Sequence, residues 1–277
     1  MLMFQRMARS AIQILCSKPI PFEGRMNMED KRYITDNLDD IDTKELGKAL
    51  PKRISKGNDT WYLKTGEMNP EAYREYDMLQ WLHNKLPVPE VLYWYEDTHT
   101  FHLLTSSAVG TMACTERGLS SSEEDVVAAL ADGLLQFQGV DISLCPITNC
   151  LEQRLEAALY NIEHDLVDMD DFAENGRFDT PMSLYNYLMK NKPDEELCLT
   201  HGDYCLPNIF ITGTKATGFI DMGRGGIADK YQDIALCVRS LRYNTFGRND
   251  NNLLFRHMGL APDWDKIDYF ILLDELF

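Results

Sequence analysis

The alternation of apolar and polar positions changes character near residues 105–110. Before that point, aromatic and β-branched residues come in short runs between turn-forming clusters. The run WYLKT (61–65) follows the polar cluster SKGNDT, and together they predict a hairpin over about residues 47–65. The next segment, NPEAYREYDMLQWLHNKL, has Asn69 as a cap, Pro70 at the first helical position and apolar residues at helical spacing. It predicts one long helix. VPEVLYWYED and HTFHLLTSS then read as two strands around a turn at Asp97.

Beyond Gly110 the pattern is mostly helical. SSEEDVVAALADGLLQFQGV opens on Ser-Ser-Glu-Glu, a helix-start signal. CLEQRLEAALYNIEHDL and PMSLYNYLMKNK predict two further helices on either side of an acidic, poorly periodic stretch. One strand pair is expected, within LTHGDYCLPNIFITGTKATGFIDMG (199–223), folded on TGTKATG. From DKYQDIALCVRSLRYN onward the chain reads as helical again. The expected architecture is therefore α+β and two-lobed. Residues 1–26 are expected to be a loosely packed extension, 27–108 a lobe of antiparallel strands with one helix, and 109–277 a mostly helical lobe.

Composition narrows this picture. The chain has 277 residues, 44% of them hydrophobic, enough for a sizeable core. The apolar run AIQILC near the start is shorter than a signal-peptide core and is broken by Gln13, and no stretch approaches a membrane span. A cytoplasmic chain without membrane contact is expected. Seven cysteines without a CxxC pair suit reduced thiols better than disulfides or zinc. The net charge of −17 opposes binding to nucleic acid and favours a cationic partner. No obligate protein partner is indicated.

The candidate chemistry lies in HGDYCLPN and the strand pair that follows. Transfer of a phosphoryl group to a hydroxyl needs metal ions on the phosphates, a lysine beside them, and a carboxylate that orients the hydroxyl and takes its proton. Protein kinases place that carboxylate and a metal-binding amide as H-R-D-x-x-x-x-N, with a later aspartate on magnesium. Here Asp203 and Asn208 have the same five-residue step, and the hairpin interval allows Asp221 to return beside Asn208. Lys64 in WYLKT and Glu75 on the next helix stand where such an enzyme has its phosphate lysine and the glutamate that steadies it.

HGDYCLPNIFI with GFIDMGRGGIADKYQDIALCVRSL resembles the aminoglycoside 3'-phosphotransferases, closest to the type III enzyme. MLQWLHNKLPVPEVL and the final FILLDELF extend the likeness over residues 60–277. The resemblance implies a protein-kinase-like fold, ATP with Mg2+, and transfer of the γ-phosphate to the 3'-hydroxyl of aminoglycosides such as kanamycin and neomycin, which confers resistance. By position, Asp203 matches the catalytic base, and Asn208 and Asp221 the magnesium ligands. Lys64 matches the phosphate-binding lysine, steadied by Glu75, and Tyr62 the aromatic that stacks on adenine. LLTSSA matches the inter-lobe hinge, with the backbone of Ser106 and Ala108 on adenine. Arg224 matches a polar residue between metal and substrate, or else forms a structural salt bridge. Asp233 is expected beneath the catalytic loop, bonded to its backbone.

A polycationic acceptor needs carboxylates, and residues 161–196 hold ten Asp or Glu against three Lys or Arg. Asp170, Asp171 and Glu174 are the candidate ligands there. Asp274, Glu275 and Phe277 match family contacts to the sugar amines. Two departures stand out. Tyr243 and Asn244 occupy positions where acidic residues are expected, and the segment 47–58 lacks an expected serine and carries Pro51, which leaves ATP against GTP open. A related small-molecule kinase for a macrolide, choline or similar metabolite is the alternative enzyme reading. A catalytically silent nucleotide-binding protein is the alternative of another class; the intact set Lys64, Asp203, Asn208 and Asp221 argues against it.

Overall fold

The structure, a computed structural model, describes residues 51–57, 59–115, 122–170, 172, 176–244 and 250–277. The expected extension 1–26 and the start of the first hairpin lie outside the described residues. The chain divides into two compact units, the first comprising 1–69 and 91–107, the second 70–90 and 108–277.

In the first unit, β1 (Lys52–Lys56), β2 (Asp59–Glu67), β3 (Val91–Glu96) and β4 (Thr100–Ser106) form one antiparallel sheet in the order β1-β2-β4-β3. Pro51 precedes β1, an edge strand, where a missing N–H is tolerated. The turn between β3 and β4 is set by Asp97, whose Oδ1 accepts the N–H groups of His99 and Thr100, both at 2.8 Å. Ile54, Trp61, Leu63 and Leu104 make a buried cluster, with Leu92 and Tyr93 packed against it. Because side chains alternate along a strand, Tyr62 and Lys64 share the other face of β2.

The second unit begins with α1 (Pro70–Leu82). Its described elements continue with β5 (Thr111–Met112), α2 (Glu123–Gln138), α3 (Leu151–Glu163), α4 (Pro181–Lys190), β6 (Leu197–Thr200), β7 (Ile209–Thr212), β8 (Lys215–Phe219), β9 (Gly226–Asp229), α5 (Lys230–Tyr243), α6 (Asp250–Met258) and α7 (Trp264–Asp274). Local chemistry starts the helices. Ser122 caps α2 by accepting the N–H of Asp125 at 3.1 Å, and Thr180 with Ser183 forms a capping box ahead of α4. The buried faces of α2 and α5 supply much of the core, including Val126, Leu130, Leu134, Ile234 and Val238.

Two features differ from the sequence reading. Instead of one strand pair, the second unit holds a three-stranded sheet (β5-β7-β8) and a two-stranded one (β6-β9). β5, β6 and β9 have two to four residues each, too short for alternation to register. The helix α1, expected with the first strands, groups with the second unit. The reason is close packing at its start. A Cβ on Gly223 would lie 2.6 Å from Cγ of Glu71, so only a glycine lets the helix approach this far.

Among the described residues no helix is long and apolar enough to cross a membrane, and the six described cysteines are unbridged.

Candidate active site

The loop 201–208 is hung from the core by its own backbone. Both oxygens of buried Asp233, at the start of α5, accept from it: the N–H of His201 at 2.6 Å and that of Gly202 at 2.9 Å. Burial pushes the Asp233 carboxyl up to about 7, against the pull of those two donors. Further along, the N–H of Leu206 donates to Ser240 Oγ at 3.0 Å. The phenol of fully buried Tyr204 donates to the Leu130 carbonyl of α2 at 2.7 Å. Gly202 has a φ of +85°, and a Cβ there would sit 2.0 Å from the Arg224 carbonyl oxygen. No other residue fits that contact.

This scaffold presents Asp203 and Asn208 side by side. The Asn208 amide nitrogen donates to the Asp203 carbonyl at 3.0 Å and to its Oδ2 at 2.9 Å. With its nitrogen committed twice to Asp203, Asn208 keeps its amide oxygen as the end that can meet a cation. His201, fully buried, accepts the Asp203 N–H on Nδ1 at 3.3 Å. Burial holds the imidazole below its ordinary pKa, against the upward pull of the Asp203 and Asp221 carboxylates, so it stays neutral.

Asp221 arrives by strand pairing. Ile209 of β7 faces Phe219 of β8, and one step further the Ile220 N–H donates to the Asn208 carbonyl at 3.1 Å. Asp221 follows at once, in the left-handed region with φ 61° and ψ 58°, and opens the short 3-10 turn Met222–Arg224. Such a conformation is uncommon for a residue other than glycine and recurs at functional sites. Among the described residues no group of three or more His, Cys, Asp or Glu could hold a metal unaided. One amide oxygen and one carboxylate, completed by phosphate oxygens and water, suit Mg2+, which seldom takes an all-protein cage.

Beside Asp203 opens a cavity of about 820 Å³, built wholly within the second unit. Its walls come from the loop (Asp203, Cys205), from Arg224, from the end of α5 (Arg239, Tyr243), from Asp168, and from Asp274, Glu275 and Phe277. Burial, with Asp203 nearby, raises the Cys205 thiol far above its usual range, so it stays a neutral group rather than a nucleophile. Asp274 is nearly enclosed: its Oδ2 accepts from Arg239 at 2.5 Å and its Oδ1 from Arg154 at 3.4 Å. Arg224 pairs with Glu71 at 3.3 Å.

With that geometry in hand, comparison with known proteins is decisive. Residues 52–270 match the model of the phosphotransferase enzyme family. The chain is 39% identical to the aminoglycoside 3'-phosphotransferase of Enterococcus faecalis over 260 residues, covering 91% of this chain and 98% of that protein. It is 38% identical to the Staphylococcus aureus enzyme of the same name over the same shares. The chain belongs to the phosphotransferase enzyme family. Its fold matches the crystal structure of aminoglycoside-3'-phosphotransferase of type VIII with a TM-score of 0.76, at 26% identity over 86% of this chain and 92% of that one.

For this phosphotransferase the expected site residues distribute unevenly. Asp203, Asn208 and the approach to Asp221 come together as the spacing requires. Arg224 both lines the cavity and makes the salt bridge that was its other reading. Glu275 and Phe277 line the cavity, and Asp274 lines it while paired to two arginines. From the acidic segment it is Asp168, not Asp170, that reaches the cavity wall. Asp170 lies exposed, its N–H donating to Asp168 Oδ1 at 3.0 Å, while Asp171 and Glu174 are outside the described residues. Tyr62 and Lys64 are half-buried on β2, Ser106 ends β4 opposite Trp61, Ala108 packs against Gly218, and Glu75 is buried on α1. Sequence reasoning missed Asp168, Arg154 and Arg239. The carboxylate count of the segment pointed to its neighbourhood, but nothing local marked the two arginines.

Proposed function

We propose that this enzyme transfers the γ-phosphate of ATP to the 3'-hydroxyl of an aminoglycoside. The observation that carries the reading is the Asp203–Asn208 hydrogen bond at the edge of a large cavity with carboxylate-bearing walls. The names of relatives at 38–39% identity supply the acceptor class. Asp203 orients the acceptor hydroxyl and takes its proton as the oxygen bonds to the transferred phosphorus, while the bond to the departing ADP oxygen breaks. Asn208 and Asp221 would hold Mg2+, which when bound supplies positive charge against the phosphate oxygens. Asn208 also fixes the orientation of the base through its amide nitrogen, so proton acceptor and metal ligand keep one geometry. Tyr62, Lys64, Glu75, Ser106 and Ala108 are the proposed nucleotide contacts.

Carboxylates favour ammonium groups through charge-assisted hydrogen bonds, which selects a polyamine over a neutral macrolide. Three arginines also line the cavity. Arg224 is paired with Glu71, and Arg239 is paired with Asp274 and faces the charges of Glu275 and Asp203, so those two are set against carboxylates. Arg242 lies 6.0 Å from the centre of the Trp264 ring. The test is ADP release with Mg-ATP and a panel of kanamycin, neomycin, erythromycin and choline, with the product position read by NMR. Kanamycin and neomycin should be phosphorylated at the 3'-oxygen, and a 3'-deoxy aminoglycoside should not react. Turnover of erythromycin or choline alone, or of nothing in the panel, overturns the proposal.

A further inference from the structure

The cavity wall at residues 274–277 is fastened from one face of α3. Arg154 and Asn161 stand seven residues apart on that helix, two turns, and so point the same way. Arg154 donates to Asp274 at 3.4 Å, and its guanidinium carbon lies 4.6 Å from the centre of the Phe277 ring. Asn161 Nδ2 donates to the Leu276 carbonyl at 2.9 Å. Between the two residues, Ala158 on the same helix face is fully buried. Arg154 itself is only 4% exposed and forms no part of the cavity lining.

A guanidinium at that depth is a costly way to fill space; an apolar side chain of similar volume usually packs there at least as well. What the charge adds is direction. It grips residue 274 by a hydrogen bond and residue 277 by the ring face, and its field also reaches Asp233, the anchor of the catalytic loop. We propose that Arg154, seconded by Asn161, is a positioning residue that sets the acceptor-binding wall at Asp274, Glu275 and Phe277 without touching the acceptor. This deepens the functional reading above and rests on it.

The test pairs steady-state kinetics with amide hydrogen exchange on the whole protein. Arg154→Met should raise the KM for kanamycin about tenfold while leaving the KM for ATP within about twofold, the signature of lost acceptor binding. Arg154→Lys should recover part of that loss. Exchange at amides 274–277 should quicken about tenfold in Arg154→Met, because the wall opens locally. Asn161→Ala removes only the bond to the Leu276 carbonyl, so it carries the test should Arg154→Met not fold. It should speed exchange at the same amides and raise the kanamycin KM about threefold. Unchanged exchange and acceptor KM in both Asn161→Ala and Arg154→Lys overturn the inference. A fall in kcat alone, with the wall still protected, also overturns it and assigns Arg154 to the catalytic loop. Absence of any kanamycin-dependent ADP release from the unaltered protein instead sinks the functional reading, and the exchange data then judge the clamp by themselves.

Discussion

The catalytic loop and the wall at residues 274–277 border one cavity but are held by different physics. The loop is fixed through backbone groups: Asp233 and Ser240 accept its N–H donors, and a strand ladder delivers Asp221 beside Asn208. The wall is fixed through charges far apart in sequence, with Asp274 between Arg154, 120 positions away, and Arg239, 35 positions away. Backbone anchoring leaves the Asp203 carboxylate without an arginine ion pair among the described residues, as the proposed role requires. Ion pairing does the reverse, since Asp274 keeps its place by giving both oxygens to arginines. One region should therefore lose rate when altered and the other should lose stability.

The sharpest break of that contrast is Asp274→Ala, which leaves the buried Arg154 guanidinium without its carboxylate and removes the ion pair of the partly exposed Arg239. Stability should drop by about 3–5 kcal/mol, seen as a lower urea midpoint. Asp203→Ala should instead cut kcat by at least about 100-fold with little change in nucleotide affinity measured by calorimetry. If turnover survives that change, another group is the base. Smaller again is Asp168→Asn, expected to raise the aminoglycoside KM about fivefold to tenfold, as loss of one charge-assisted contact would. Asp170→Asn should leave that KM unaltered, and the pair together separates the cavity wall from the solvated surface.

The smallest effect concerns pH. Burial makes His201 harder to protonate in the folded state than in the unfolded chain, which gains a proton below about pH 6.5. The unfolded state then binds more protons, so stability is lost as pH falls through that value. The loss has a ceiling of about 1.4 kcal/mol per pH unit. His201→Gln should flatten this part of the urea-midpoint profile between pH 7.5 and 5.5. An identical profile in the variant would remove His201 from the account.

How much could be read in advance follows the same division. Helix starts at Pro70 and Ser122 were legible because start signals are a local code, whereas the Thr180 cap was seen only in the structure. The Asp203–Asn208 bond and the pairing of Ile220 with Asn208 were legible because they depend on a five-residue step and one hairpin register. The short strands β5, β6 and β9 were not, since two to four residues leave no period and, unlike the equally short β7, none of them is marked by a hairpin turn to its partner. The grouping of α1 with the second unit depended on a glycine contact 152 positions from Glu71, a separation that no window of sequence spans. Arg154 and Arg239 looked like ordinary helical cations until folding placed one carboxylate between them.

Gly202 carries a practical warning for saturation mutagenesis under antibiotic selection. Every replacement there forces an atom into a neighbouring peptide, so survival would vanish at a position that contributes nothing to bond making or breaking. A fitness map alone would rank this hydrogen-for-a-side-chain position level with Asp203, the proposed proton acceptor next to it. Abundance would have to be scored alongside growth before intolerance in this stretch is taken as chemistry.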